Sequence, residues 1–113
     1  MNSIQEYHLH IYFDTATDSI ATKLMGNVSN LFHLEEAKYF RKPVGPHKSW
    51  NCIVAFPTNL LEEITVYLIQ HHENLSILIH AETGDSYKDH TENALWLGEV
   101  KELDLAVFNT DDQ

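Results

Sequence analysis

The chain of 113 residues is predicted to form an α+β fold of the ferredoxin-like type, a split βαβ sandwich in which two helices cover one face of an antiparallel sheet. Two features of the sequence predict it. Apolar residues switch between a period of two and a helical period in the order β-α-β-β-α-β, and one more alternating stretch adds an extra C-terminal strand. The length suits one hydrophobic core, so residues 1–113 are expected to form a single domain.

The first half of the chain supplies one helix and three strands. Apolar residues recur at helical spacing over residues 15–32, after Asp14 and Thr15, which are good helix N-cap residues. Stretches rich in aromatic and β-branched residues, bounded by turn-forming residues, predict strands at 6–13, 35–43 and 50–56. The helix therefore connects the first strand to the second, as a split βαβ unit requires.

The second half adds a helix and two more strands. Pro57 closes the third strand and opens a helix that ends near His72, with Asn59 and Glu62 as a near-capping box. Residues 75–80 form a continuous apolar run, which is typical of a central strand buried on both faces. After a polar stretch, alternation of apolar with polar side chains predicts the extra strand on Leu103, Leu105 and Val107.

The composition is acidic, with 17 Asp and Glu residues against 7 Lys and Arg and a formal net charge of −10. Nucleic acids and anionic membranes are polyanions, so neither is expected as a partner. No apolar run approaches the roughly 20 residues that span a bilayer, and the N-terminal residues lack the apolar stretch of a signal peptide. The lone Cys52 allows no intrachain disulfide, and its apolar neighbours favour a small buried side chain over a nucleophile. A cytoplasmic protein is therefore expected.

Eight histidines are unusual in so short a chain. Strand alternation places His8, His10 and Tyr12 on one face of the first strand, while the other face is apolar. His80 ends an apolar strand, where a buried imidazole needs a hydrogen-bond partner or a metal ion. Three of the others are expected at solvated helix ends: His33, His71 and His72.

The remaining two histidines lie in predicted loops. His47 follows Gly45 and Pro46, which can hold the backbone in a defined conformation, and His90 follows Asp89, whose carboxylate can support a neighbouring imidazole ligand. Simpler interpretations than a metal site are also open: His8 and His10 as exposed histidines on the sheet, and His47 as part of a surface turn. Imidazole suits Zn, Cu, Fe and Ni, whereas a zinc finger is excluded because it needs several thiolates.

The basic residues cluster around the same loop. Four of the seven bracket residues 43–47, namely Lys38, Arg41, Lys42 and Lys48. Arg41 is the best candidate to anchor a substrate carboxylate, because its planar fork matches that group. An equally weighted alternative is a solvated strand face paired with Glu35 and Glu36.

Several spaced segments together resemble the DOPA 4,5-dioxygenase family in its small fungal and bacterial form; they span residues 7–14, 42–47, 75–80, 83–85, 89–91 and 96–98. The resemblance implies a ferredoxin-like fold, a homodimer, and extradiol cleavage of a catechol such as DOPA by O₂ with non-haem iron. It also implies that all five site histidines belong to the shared pattern. The chain departs from that pattern at Ala81, where Pro is expected, and at residues 71–73, where an Arg is expected. The missing Arg bears on the substrate more than on the chemistry.

The chemistry that the resemblance implies suggests a division of labour. A catechol takes two positions on a metal and O₂ a third, which leaves about three for the protein. Fe(II) is the expected metal, with Zn as the alternative, and the expected ligands are His10, His47 and His80. Two imidazoles, His8 and His90, are assigned to proton transfer, and two side chains, Tyr12 and Arg41, to the substrate. The alternative function is a non-catalytic dimeric module that binds a metal or small molecule on the same fold.

Overall fold

In the computed structural model, which describes residues 4–108, the main helices and strands follow the predicted order. The strands are β1 (Glu6–Phe13), β2 (Lys38–Phe40), β3 (Trp50–Pro57), β4 (Ile77–Ala81) and β5 (Ala94–Leu97). The helices are α1 (Asp18–Leu31), α2 (Leu61–His71) and the short α3 (Ser86–Asp89), with 3₁₀ turns at Thr58–Leu60 and Leu105–Val107. The ends of the predicted domain, residues 1–3 and 109–113, lie outside the described residues.

The five strands form one antiparallel sheet in the order β2-β3-β1-β4-β5. Its first four strands have the order of the ferredoxin-like split βαβ fold, so the predicted fold class is confirmed. The central strand β1 pairs with β3 on one side and with β4 on the other. Because β1 is central, its alternating side chains occupy the middle of both faces of the sheet.

One face of the sheet packs against α1 and α2 and forms the hydrophobic core. From β1 the core takes Leu9, Ile11 and Phe13, as the alternation of that strand predicts. The helices contribute residues spaced three and four apart: Ala21, Leu24, Met25 and Val28 from α1, and Ile64 and Leu68 from α2. The opposite face carries His8, His10 and Tyr12 and is covered by loops.

Helices α1 and α2 do not begin at the N-cap residues that the sequence predicted. The carboxylate of Asp14 accepts hydrogen bonds from the backbone N–H groups of Ala16 and Thr17, so it closes the turn before α1, which begins at Asp18. The capping box predicted at Asn59 is not formed, because residues 58–60 make a 3₁₀ turn ahead of α2. Helix boundaries of this kind shift by a residue or two without changing the packing.

The extra strand exists, but the predicted location was wrong. It is β5, which pairs with β4 along the sheet edge, whereas residues 105–107 form a 3₁₀ turn. The side chain of Asp104 accepts a hydrogen bond from the N–H of Ala106, which favours a turn over an extended strand. Leu103 makes a single bridge to His47. Strand β2 is also shorter than predicted, at three residues. Within residues 4–108 no helix is both long and apolar enough to cross a membrane.

Candidate metal centre

Strand pairing brings three histidines together on the face of the sheet away from the helices. His8 on β1 lies directly opposite His80 on β4, and His10 lies two residues further along β1 on the same face. The rings of His10 and His80 are almost fully buried, with 4% and 2% of their surface exposed. Their Nε2 atoms are 3.1 Å apart. The predicted meeting of His10 and His80 on neighbouring strands is therefore seen in the structure.

Two loops bring His47 and His90 over the same face. The loop of His47 is closed by paired backbone hydrogen bonds with Val44, and Gly45 adopts a positive φ of 55° inside it. The ring centroid of His47 lies 4.2 Å from that of His10. The ring of His90, just after α3, lies 4.0 Å from that of His80. All five predicted site histidines thus form one cluster.

Three imidazoles of the cluster have Nδ1 atoms that already face hydrogen-bond acceptors. Those of His10, His80 and His90 face the oxygens of the Asn51 side chain, the Ala81 backbone and the Ser86 backbone, at 2.9, 2.8 and 2.7 Å. These amide oxygens only accept hydrogen bonds, so each Nδ1 must carry the proton. A neutral imidazole protonated on Nδ1 has a lone pair on Nε2. The Nε2 atoms are therefore left as acceptors or metal ligands.

The short contact between His10 and His80 follows from this assignment. With both protons on Nδ1, the two Nε2 lone pairs face each other at 3.1 Å without a hydrogen between them, an arrangement that a bound cation would stabilise. A metal ion with Zn–N or similar bonds of about 2.0–2.1 Å holds neighbouring nitrogen ligands about 3.0–3.4 Å apart. The donor atoms of this site therefore fit a divalent metal.

Two overlapping groups of three histidines have donor atoms within 4.8 Å of one another: His8, His10 and His80 form one, and His10, His47 and His90 form the other. His10 belongs to both groups, whereas His47 and His80 belong to different ones. Because Asn51 occupies the Nδ1 of His10, only its Nε2 is free, and His10 can ligate one ion at a time. The two groups are thus alternative sets around a shared ligand.

Burial keeps these imidazoles neutral. Loss of hydration lowers the pKa of His47 to about 4 and that of His80 to about 4. Burial, together with the nearby His47, holds the pKa of His10 well below its usual value, and burial also lowers the pKa of His90. Metals bind the neutral imidazole, so the cluster is ready to bind a metal ion at neutral pH without first releasing protons.

Tyr12 and Trp96 form an aromatic wall at one side of the cluster. The hydroxyl of Tyr12 lies 2.7 Å from Nδ1 of His47, and burial raises the pKa of this phenol, so it stays protonated. The rings of Tyr12 and Trp96 are stacked, with centroids 5.7 Å apart and planes 17° from parallel. The predicted substrate residue Tyr12 therefore lies at the site, in contact with a candidate ligand.

His8 sits at the more exposed edge of the cluster. Its Nε2 is 3.1 Å from a carboxylate oxygen of Glu6, and its Nδ1 is 3.9 Å from one of Glu82. A solvent-open groove of about 590 Å³ begins at His8 and runs beside β3, lined by Lys38, Ile53 and Phe56 among others. Among the five histidines, His8 is the one that connects the buried cluster to this groove.

Arg41, the predicted anchor for a substrate carboxylate, lies apart from the histidine cluster. Its guanidinium forms two hydrogen bonds of 2.8 and 2.9 Å with the carboxylate of Asp18 on α1. It also lies over the rings of Phe13 and Tyr39, which contribute to the core on the helix side of the sheet. The guanidinium is therefore already paired with a carboxylate, and the side chain lies on the side of the sheet opposite to the histidines.

Asp89 supports the loop of His90 in a different way from the predicted one. Its buried carboxylate accepts hydrogen bonds from the backbone and hydroxyl of Thr83, both at 2.7 Å, and from the amide of Asn93 at 3.2 Å. Burial alone would raise its pKa, but these hydrogen bonds lower it. Asp89 thus holds together the loop that carries His90 instead of bonding to an imidazole.

Sequence reasoning missed two residues of the site, Asn51 and Trp96. Asn51 is a polar residue inside an apolar strand, and it faces the side opposite to its buried neighbour Cys52. That pattern was a signal for a buried polar partner. Trp96 gave no comparable signal, because an aromatic residue in a strand is ordinarily a packing residue. The three other histidines lie at helix ends, as predicted: His33, His71 and His72.

The fold and the cluster together define a class of protein, a ferredoxin-like domain with a histidine-rich candidate metal centre on its open sheet face. The model of the Dopa 4,5-dioxygenase family matches residues 7–107. The chain therefore belongs to the Dopa 4,5-dioxygenase family, as its motifs predicted.

Individual relatives agree with this assignment. The chain is 30% identical to a DOPA 4,5-dioxygenase of Amanita muscaria over 93% of its own length and 50% of the relative. It is also 30% identical to an uncharacterized 21.2 kDa protein of Botryotinia fuckeliana, over 62% of this chain and 43% of the relative. The chain thus spans about half the length of these curated relatives.

A solved structure is similar over nearly its whole length. It is a protein of Nostoc punctiforme, described as a "putative dioxygenase", with a TM-score of 0.84 and 34% sequence identity. The match covers 94% of this chain and 92% of that one. The two proteins are therefore similar over nearly the full length of both chains.

Proposed function

We propose that this protein is an extradiol ring-cleaving dioxygenase that acts on a catechol such as DOPA with Fe(II) and O₂. The observation that supports it most is the buried pair of Nε2 lone pairs on His10 and His80, in a chain of the Dopa 4,5-dioxygenase family. Both oxygen atoms of O₂ enter the ring-opened product of such a reaction, so no external reductant is required. Bound iron would supply the redox chemistry that joins O₂ to the ring.

The proposed ligands are His10, His80 and His47, a set that requires His47 or His80 to shift when the metal binds, because in this structure the two belong to different groups of donor atoms. His10 and His80 have their Nε2 atoms at the distance expected for two ligands of one ion. When Nδ1–H of His47 donates to the hydroxyl oxygen of Tyr12, 2.7 Å away, Nε2 of His47 keeps its lone pair and is the ligand atom. His8 is the rival for the third position, because it shares a group with His10 and His80.

The other residues of the cluster have roles in substrate binding and proton transfer. The wall of Tyr12 and Trp96 is suited to hold a flat aromatic ring, because stacked rings gain favourable contacts. His8 is suited to accept a catechol proton and pass it outward, since it lies at the more exposed edge of the cluster with a carboxylate oxygen of Glu6 3.1 Å from its Nε2. His90, with Nδ1 anchored on the backbone of Ser86, is the second candidate for proton transfer.

The proposal is tested by anaerobic reconstitution with Fe(II), followed by addition of O₂ and a panel of catechols. A yellow ring-cleavage product is expected from at least one catechol. Iron that is bound without any product from any catechol would contradict the proposal.

Variants at the histidines test the ligand set. His10→Ala and His80→Ala are expected to abolish iron binding, and the exposed His33→Ala to leave it unchanged, since His33 lies at the end of α1. If His47 is the third ligand, His47→Ala lowers iron affinity more than His8→Ala does. The reverse order would move the third position to His8.

A second candidate function has one observation in its favour. Among the residues that the structure describes, neither histidine group contains a carboxylate, whereas non-haem Fe(II) oxygenases typically combine two histidines with one. Three histidines are also a known zinc set. We therefore keep a non-catalytic zinc-binding module as the alternative. Tight stoichiometric zinc in protein purified without added metal, with no O₂ consumption after iron loading, would favour it.

A homodimer and a cytoplasmic location remain predictions from the sequence.

A further inference from the structure

Asn51 is a fully buried polar side chain beneath the histidine cluster. It lies on β3 directly opposite Tyr12, on the same face as the histidines, and 0% of its surface is exposed. A buried amide is costly unless its polar atoms are paired, so a reason for its presence is needed. Its neighbour Cys52 faces the core and takes no part in the cluster.

The two ends of this amide have different partners. Oδ1 accepts a hydrogen bond from Nδ1 of His10 at 2.9 Å, and Nδ2 donates to the carbonyl oxygen of Ser49 at 3.4 Å. The reversed orientation would place Oδ1 against the oxygen of Ser49, where two acceptors repel each other. The backbone therefore holds Asn51 with its acceptor toward His10.

We infer that Asn51 is a positioning residue that fixes His10 in the Nδ1–H tautomer and so keeps its Nε2 lone pair free for a metal. Without the acceptor at residue 51, the proton of His10 can move to Nε2. That Nε2–H can then donate to Nε2 of His80, 3.1 Å away, in an ordinary hydrogen bond. Such a bond would occupy both Nε2 atoms, so neither would be available to a metal. This inference rests on the proposed metal site, but not on ring cleavage.

Three variants test this role. Asn51→Leu has a similar volume and no acceptor, Asn51→Asp keeps an acceptor toward His10, and Cys52→Ala perturbs the adjacent buried position on the opposite face. The imidazole tautomers of the metal-free proteins are read by ¹⁵N NMR after labelling with ¹⁵N-histidine. Affinity for Co(II) is measured from visible absorption, and a thermal melt of each variant reports its stability.

In Asn51→Leu, His10 is expected to carry its proton on Nε2, and the affinity for Co(II) is expected to fall by about 10- to 100-fold, the usual effect of removing a partner of a metal ligand. Asn51→Asp is expected to keep the Nδ1–H tautomer and to bind Co(II) at least as tightly as the wild type. Cys52→Ala is expected to change neither readout, even if its melting temperature falls.

An unchanged tautomer in Asn51→Leu, with Co(II) affinity close to that of the wild type, would overturn the inference. So would an Asn51→Asp variant that binds as weakly as Asn51→Leu. If Asn51→Leu does not fold, Asn51→Asp decides by itself, because loss of the Nδ1–H tautomer or of Co(II) affinity there contradicts the role. Should the wild type cleave no catechol while these results hold, the proposed reaction fails and the role of Asn51 stands.

Discussion

Acid should destabilise the metal-free protein through its buried histidines. The pKa of His47 and that of His80 are each lowered to about 4, whereas a histidine in the unfolded chain titrates near 6.5. As the pH falls, the unfolded chain therefore takes up protons before the folded one does. The stability that depends on these two residues is full above about pH 6.5 and is lost between about pH 6.5 and pH 4.

The size of the effect follows from the gap between the two pKa values. About 2.5 pH units at about 1.4 kcal/mol per unit correspond to roughly 3.5 kcal/mol for each imidazole. Together they amount to up to about 7 kcal/mol, a large part of the roughly 5–15 kcal/mol that stabilises a typical domain. The metal-free protein is therefore expected to be marginal near pH 4.5.

Urea unfolding of the metal-free protein between pH 8 and pH 4.5 measures this loss. His80→Leu removes one of the titrating groups and is expected to reduce the pH-dependent loss by up to about 3.5 kcal/mol. His33→Asn alters an exposed histidine at the end of α1, in a left-handed conformation that Asn tolerates, and serves as the control. A free energy of unfolding that stays constant over this range, or an unchanged slope in His80→Leu, would refute the reasoning.

Three further substitutions have defined outcomes. Tyr12→Phe removes the hydroxyl that lies 2.7 Å from Nδ1 of His47, and it is expected to lower the free energy of unfolding by about 1 kcal/mol and the affinity for Co(II) by up to about tenfold. Urea unfolding and metal titration measure these two quantities, and unchanged values would contradict a role for this contact. Gly98→Ala is expected to destabilise by about 2 kcal/mol or more in the same unfolding assay, because φ is +72° there and an added Cβ would lie 2.6 Å from the carbonyl oxygen of Leu75. Arg41→Ala is expected to leave KM for carboxylated catechols unchanged, since this residue lies on the helix side of the sheet, and a selective rise in that KM would return it to the site.

The faces of β1 were predictable from local sequence, because alternation along one strand decides which side chains share a face. That rule placed His8 and His10 with Tyr12 and placed Leu9 and Ile11 in the core, as the structure shows. The order of the elements likewise predicted the sheet topology.

The register between strands was not predictable in the same way. His8 lies opposite His80 because β1 and β4 pair across a separation of about 70 residues, which no local pattern specifies. The partner of Arg41 is also distant in sequence, since Asp18 lies 23 residues earlier on α1. Basic residues near a loop could therefore suggest an anchor but could not show which face of the sheet Arg41 occupies.

The location of the extra strand shows a limit of periodicity. Alternation at residues 103–107 resembled a strand, whereas the true edge strand, residues 94–97, is too short for alternation to be distinctive. What selects β5 is its pairing with β4, a tertiary contact. Asn51 was missed for a related reason, because its partner His10 is 41 residues away.

The central claim is that the Nε2 atoms of His10 and His80 bind one metal ion. Anomalous diffraction at the iron edge, from crystals grown anaerobically with Fe(II), tests it most directly. The expected result is a single strong peak bonded to both Nε2 atoms, with His47 or His8 completing the set. A peak elsewhere, or an ion bound through the Nδ1 atoms after displacement of Asn51 and the Ala81 carbonyl, would contradict the account.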